Sequence, residues 1–88
     1  MAQIIYADGR IEMREPANKK KFTLAELQGI VDGYIEIVRT KDGRLMVIDE
    51  EGKLKRSAVN ETASDLYLYG GYDKIRGDVL VCTGSELE

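Results

Sequence analysis

The stretch that decides the fold runs from residue 23 to residue 38 and reads TLAELQGIVDGYIEIV. Its first four residues form a capping box, in which the Thr23 hydroxyl accepts from the Glu26 amide and the Glu26 side chain reaches back. Apolar residues then recur at helical spacing and mark one buried face. We therefore predict a helix over 24–32 that ends at Gly33, which can take the left-handed conformation. The buried face comprises Leu24, Leu27 and Val31, with Ile30 beside them.

Strands are predicted on both sides of this helix. Before it, Asp8-Gly9 separates two apolar or alternating runs and indicates a β-hairpin over residues 3–15. After it, residues 34–38 and 44–49 are strands joined by a turn at 41–43. The second of these carries an unbroken apolar run, which is typical of a strand buried on both faces.

The C-terminal half adds one helix and one strand. Asn60 is a favourable N-cap for a helix over 61–69, which Gly70-Gly71 ends. Residues 77–82 form the last strand, which we expect at the centre of the sheet. The order β-β-α-β-β-α-β predicts an α+β fold, a small and mostly antiparallel sheet with both helices on one face. The inward residues of the second helix are Ala63, Leu66 and Tyr67.

Composition fits one small globular domain, with 88 residues, 43% hydrophobic and 33% charged. We assign residues 1–86 to a single α+β domain and interpret Leu87-Glu88 as a scar from an expression tag. Residues 1–3 include no basic region followed by an apolar stretch, so we expect no signal peptide. No apolar run approaches the roughly 20 residues that a membrane span requires.

The residue inventory excludes several kinds of chemistry. The chain has no histidine, which removes His-dependent triads and His-ligated metal sites. Its single cysteine, Cys82, follows an apolar run, and we predict a buried and unreactive thiol. The carboxylates of residues 49–51 lack the alternate spacing of a calcium loop, so we interpret them as solvated turn charges. Asp78 has no partner nucleophile, and we interpret it as a cap of the last strand or a partner of Arg76. We therefore expect no enzymatic activity, no cofactor and no metal.

A cluster of tyrosines is the first candidate for a partner surface. Tyr67, Tyr69 and Tyr72 surround Gly70-Gly71, and exposed tyrosines contribute to both protein interfaces and base stacking. In the alternative interpretation, Tyr67 belongs to the core and the other two cover the edge of the sheet.

A basic rim around the second hairpin is the second candidate. Lys19, Lys20 and Lys21 could extend it toward a phosphate-binding surface, and a solvated surface of mixed charge is the alternative. The two ends of the returning strand lie roughly 15–20 Å apart, so a compact patch is not expected. The formal net charge of −3 also argues against a dedicated nucleic-acid binder. We expect weak binding at most, with a dissociation constant of roughly 10⁻⁴ M or weaker near physiological salt. The rim comprises Arg39, Lys41, Arg44, Lys53, Lys55 and Arg56.

Five short segments, taken together and in order, suggest membership of a family. Leu27-Gln28 is followed, in order, by VDGYIE at 31–36, DEEGKL at 49–54, NETA at 60–63 and GDVLV at 77–81. The set resembles a domain-of-unknown-function family of small proteins from phages, plasmids and conjugative elements of bacteria, especially Firmicutes. Members often have Gly in place of Asp32 and a Pro-containing stretch in place of residues 56–59. The resemblance implies a bacterial or phage-infected cytoplasm and a gene on a mobile element, and it implies no activity.

These observations favour a non-enzymatic accessory or binding protein that acts through an unknown protein partner. The alternatives are a weak nucleic-acid-binding module that uses the basic rim and an anti-defence protein that mimics the charge of DNA. A mimic needs dense acidic faces, for which a net charge of −3 is small.

Overall fold

A five-stranded antiparallel sheet is the centre of the computed structural model, which describes residues 2–87. Met1 and Glu88, on which part of the signal-peptide and tag-scar predictions fall, lie outside the described residues. The α+β class and the predicted order of elements are confirmed. Neither α-helix within 2–87 has the length and apolarity needed to cross a bilayer. The strands are β1 (Ala2–Ile5), β2 (Ile11–Arg14), β3 (Ile35–Arg39), β4 (Leu45–Asp49) and β5 (Val79–Cys82), and the helices are α1 (Leu24–Val31) and α2 (Glu61–Leu66).

The strand order is β2-β1-β5-β4-β3, which confirms the central position predicted for the last strand. All four residues of β5 are buried. Both predicted hairpins form, with Ile5 opposite Ile11 in the first and Ile35 opposite Asp49 in the second. Burial of β4 on both faces is confirmed, because Met46 and Val47 point to opposite sides and both are fully buried.

The two helices lie on opposite faces of the sheet, so the prediction that they share one face is wrong. Alternate residues of the central strands belong to different cores: Val47 and Leu80 pack with α1, whereas Met46 and Val81 pack with α2. The physical reason is that β4 and β5 are apolar on both faces. One helix layer covers one face, and the other face also requires a cover.

Helix α1 begins as predicted and ends differently. The capping box is confirmed: the Glu26 amide donates to Thr23 Oγ1 at 3.2 Å, and the Thr23 amide donates to Glu26 Oε1 at 3.1 Å. The left-handed residue is Asp32, with φ 61°, and not Gly33. Leu27 and Val31 are buried, but Leu24 is exposed, so the predicted face is one turn too long.

Helix α2 ends at Leu66, three residues earlier than predicted. Two backbone bonds explain this, because the Lys41 amide donates to the Leu66 carbonyl and the Leu68 amide donates to the Arg39 carbonyl. They hold Tyr67 in an extended conformation that bridges to Thr40, and Gly70-Gly71 lies beyond the helix. The predicted inward orientation of Ala63, Leu66 and Tyr67 is confirmed, since all three pack in the core on the α2 face of the sheet.

Asn60 joins α2 to two other parts of the chain. Its Oδ1 accepts from the Ala63 amide at 3.0 Å, which confirms the predicted N-cap. Its Nδ2 donates to the carbonyls of Ile5 and Gly77, both at 2.9 Å. The residue is only 1% exposed, so these groups have no access to water as an alternative partner.

The C-terminal segment packs on the same face as α1. Phe22, which is fully buried, forms a bridge with Leu87, and the Phe22 amide donates to the Glu86 carbonyl at 2.7 Å. Leu87, assigned above to a tag scar, packs against the core that includes Leu27. This segment therefore adds to the core on the α1 face of the sheet.

Removal of the α1 cap is expected to destabilise the protein. The substitution Thr23→Ala removes the acceptor of the Glu26 amide and should lower the free energy of unfolding by about 1 kcal/mol. Thr23→Ser keeps that acceptor and is the matched control. Urea unfolding followed by circular dichroism measures both, and equal stability of the Ala variant and the parent chain would contradict the cap assignment.

Substitution of Asn60 should cost more than the loss of a cap. Asn60→Ala removes the cap and leaves the Ile5 and Gly77 carbonyls without this donor, and we expect a loss of about 2–4 kcal/mol. Asn60→Ser restores the capping oxygen without the amide donors and should recover about 1 kcal/mol of that loss. If chemical denaturation shows a loss for Asn60→Ala no larger than that for Thr23→Ala, the two carbonyl bonds contribute nothing.

Cys82 is expected to react slowly in the native protein. The side chain is 1% exposed, which confirms its predicted burial, and burial raises the pKa of the thiol to about 11. Little thiolate is then present at neutral pH, and the thiolate is the reactive form. Labelling by a bulky aromatic disulfide should be at least about 100-fold slower than in denaturant, where local opening is no longer required. Equal rates with and without denaturant would show that β5 is accessible.

Candidate functional site

The acidic turn after β4 makes structural hydrogen bonds, which centre on Asp49. Asp49 is 6% exposed, so the prediction of solvated turn charges is wrong for this residue. Its carboxylate accepts from Lys55 Nζ and from the Glu51 amide, both at 2.9 Å, and the hydrogen bond raises the pKa of Lys55. Lys55 also donates to the Asp32 carbonyl at 2.6 Å. A Cβ at Gly33 would lie 2.5 Å from Lys55 Nζ and 2.8 Å from Asp49 Oδ1, so a larger residue there would require this ion pair to shift.

Asp78 links the first hairpin to the central strand through a hydrogen bond. Its Oδ1 accepts from the Ala7 amide at 2.9 Å, across the start of β5. It does not pair with Arg76, as one alternative predicted, because Arg76 Nη1 donates to the Ser57 carbonyl at 3.0 Å. Within residues 2–87, no group of three or more acidic or cysteine side chains is placed to hold a metal ion.

The six cations of the basic rim lie at two ends of the β3–β4 hairpin. At the first end, Arg44 donates to Asp42 Oδ2 from Nε at 3.0 Å and from Nη2 at 2.7 Å. These two bonds to one carboxylate oxygen hold the pKa of Asp42 well below its usual range. Arg39, paired opposite Leu45, and Lys41 lie at the same end. The Arg44 charge is thus largely neutralised within the turn.

The lysines at 19–21 lie elsewhere. Lys19 and Lys20 line a separate depression with Glu15 and Glu86, and Asn18 holds the loop through its side-chain oxygen. None of the six rim cations lines this depression.

At the second end, Lys53 and Arg56 meet two cations from a distant segment. The turn at 51–57 is closed by backbone bonds, including the Ser57 amide to the Gly52 carbonyl at 3.0 Å. Residues 58–60 then run beside 75–77, through Asn60 to Ile75 and Gly77 to Ala58 bonds of 2.8 Å each. An ion pair between Lys53 and Asp73 joins the two segments directly. We call the resulting depression the cationic cleft, and its lining residues are Lys53, Arg56, Tyr72, Asp73, Lys74 and Arg76.

The cleft is open, with a volume of about 600 Å³, and carries four cations against one carboxylate. Tyr72 forms part of its wall and is 93% exposed. Tyr69 is not part of the cleft, because its ring packs edge-on against Tyr67 with centroids 5.9 Å apart. The structure thus brings one predicted tyrosine together with two cations of the predicted rim.

A narrower groove of about 250 Å³ adjoins the cleft on the α2 face of the sheet. Val38, Ile48 and Tyr67 form its apolar part, and it shares four residues with the cleft: Lys53, Asp73, Lys74 and Arg76. Glu36 and Glu50 line the groove as well, so its charge is mixed. The excess of positive charge is therefore local to the cleft.

Sequence reasoning did not place Lys74 and Arg76 in a site. The signal that could have found them is the alternation around Ile75, which is 4% exposed while its two neighbours line the cleft. An apolar residue flanked by cations indicates an extended segment with one charged face. Their approach to Lys53 and Arg56 depends on pairing across about 20 residues of chain, which no local pattern indicates.

Comparison with known proteins gives a family without an assigned activity. The chain matches the family model described as "Domain of unknown function (DUF3846)" over residues 3–88. No curated protein and no solved structure matches it. The match extends across both hairpins, both helices and every residue of the cationic cleft. The chain therefore belongs to this domain-of-unknown-function family, which agrees with the resemblance of its segments to a family of that kind.

Proposed function

We propose that this chain is a non-enzymatic binding module that acts through a macromolecular partner. The resemblance further favours an accessory protein of a phage or other mobile element that works in a bacterial cytoplasm. The observation that carries the proposal is the cationic cleft, in which a tyrosine 93% exposed stands among four cations.

Three groups that the sequence offered for chemistry take part in the fold. Asp78 holds the Ala7 amide, Asp49 holds Lys55 and the Glu51 amide, and Cys82 is buried. A catalytic group must be free to exchange a proton or bond with substrate. Each of these three is committed to packing or to a structural hydrogen bond, which supports a binding role.

Tyr72 supports a partner at the cleft. A large aromatic side chain contributes to stability when buried, and at 93% exposure Tyr72 contributes little to the core. Tyrosine and arginine are among the residue types enriched where binding energy concentrates at interfaces. Both types are present in the cleft, with Arg56 and Arg76 on the same lining.

Site-specific crosslinking tests the proposal. A photoreactive p-benzoylphenylalanine in place of Tyr72 should yield a discrete crosslinked product in living bacterial cells. The matched control places the same group at Met13, which is 51% exposed on β2, the opposite edge of the sheet from β3. A shift of the product after nuclease treatment indicates a nucleic-acid partner, and a product that nuclease leaves unchanged indicates a protein partner.

A product from position 72 and none from position 13 is the expected result. The absence of a product at 72, or equal products from both positions, would contradict a partner at the cleft. Because Tyr72 is exposed, its replacement should leave the folded state intact.

A further inference from the structure

The geometry points to a single-stranded nucleic acid as the ligand of the cationic cleft, an inference that rests on the proposed binding function. We propose that its phosphates lie against Arg56, Lys74 and Arg76, and that one base stacks on Tyr72. The proposal differs from the basic rim in place, because it uses only one end of the hairpin and adds the segment at 72–76.

Three cations of the cleft are available to bind an anion. Its carboxylate, Asp73, is already joined to Lys53. Among residues 2–87, Arg56 has no carboxylate within ion-pairing distance, and Lys74 lies 4.0 Å from the exposed Glu61. Arg76 uses Nη1 for the Ser57 carbonyl, which leaves further N–H donors on its guanidinium. Three cations are thus available in a chain whose net charge is −3.

The exposed ring of Tyr72 favours a single-stranded nucleic acid over other anions. Proteins that bind single strands combine a positive groove with aromatic rings on which bases stack. Tyr72 supplies such a ring in contact with the cleft and with its face in solvent. In a duplex the base faces are already stacked on one another, so this contact is unavailable to it.

The surroundings of the cleft disfavour a duplex for a second reason. A duplex needs cations spread along its backbone, and the remaining rim cations lie at the other end of the hairpin, roughly 15–20 Å away by strand rise. One of them, Arg44, is held by Asp42. Between the two ends, Glu36 and Glu50 line the adjoining groove and would repel a continuous phosphate backbone.

Fluorescence anisotropy of a labelled oligothymidylate of about 20 nucleotides tests the inference directly. With three to four phosphates neutralised, affinity should fall about 20- to 50-fold between 50 and 200 mM salt. A duplex of the same length should bind more weakly than the single strand at each salt concentration. A labelled polyglutamate peptide tests whether any polyanion suffices.

Matched variants locate the contact. Tyr72→Ala should weaken binding of the oligothymidylate about tenfold, whereas Tyr34→Ala, at another exposed tyrosine outside the cleft, should leave it unchanged. Lys74→Gln should weaken binding and lower the salt slope by about 0.7. Lys41→Gln, at the other end of the hairpin, should alter neither quantity. Circular dichroism confirms that each variant is folded.

The outcomes separate this inference from the proposed function. No salt-dependent binding of the oligothymidylate, full affinity of Tyr72→Ala, or equal binding of polyglutamate would overturn the nucleic-acid ligand. If the crosslinked product at position 72 is then unchanged by nuclease, the proposed binding function stands with a protein partner. Loss of both the crosslinks and the oligonucleotide binding would overturn both.

Discussion

The buried side-chain amide of Asn60 is the contact on which the rest of the structure depends. Its oxygen caps α2, and its nitrogen holds the Ile5 and Gly77 carbonyls. These three partners belong to the end of β1, the start of α2 and the approach to β5. In a site 1% exposed, each unmade bond would leave a buried polar group without water. One residue therefore determines where the second helix begins and joins that point to β1 and to the approach of β5.

The sheet that Asn60 joins to α2 is apolar on both faces, and this limits where a partner can bind. Helix α1 and the C-terminal segment cover one face, while α2 and Ile75 cover part of the other. Once both faces are covered, few of the 88 residues remain to line a deep pocket. The accessible chemistry is consequently at the perimeter, in the turns that join the layers. The cationic cleft is such a place, formed where the turn after β4 meets the segment before β5.

The same contacts that complete the fold also assemble the cleft. The run of 58–60 beside 75–77 satisfies backbone groups near α2, and it brings Lys74 and Arg76 to the turn that carries Lys53 and Arg56. Arg76 strengthens this connection through the Ser57 carbonyl. Tyr72 takes no part in either core and lies in solvent. The cleft is thus positioned by structural bonds, and its outward side chains remain available to a partner.

The sequence by itself determined the features that depend on neighbours in the chain. The capping box at Thr23, the turns at Asp8-Gly9 and Asp42-Gly43, the cap at Asn60 and the apolar runs of β4 and β5 each rest on interactions within a few residues. Tertiary structure alone decided the rest. Helix α2 stops at Leu66 because β3 binds the following backbone, and the helices separate because two apolar faces each need a cover. The cleft joins cations from two distant segments, since long-range pairing, and not local propensity, sets which loops meet.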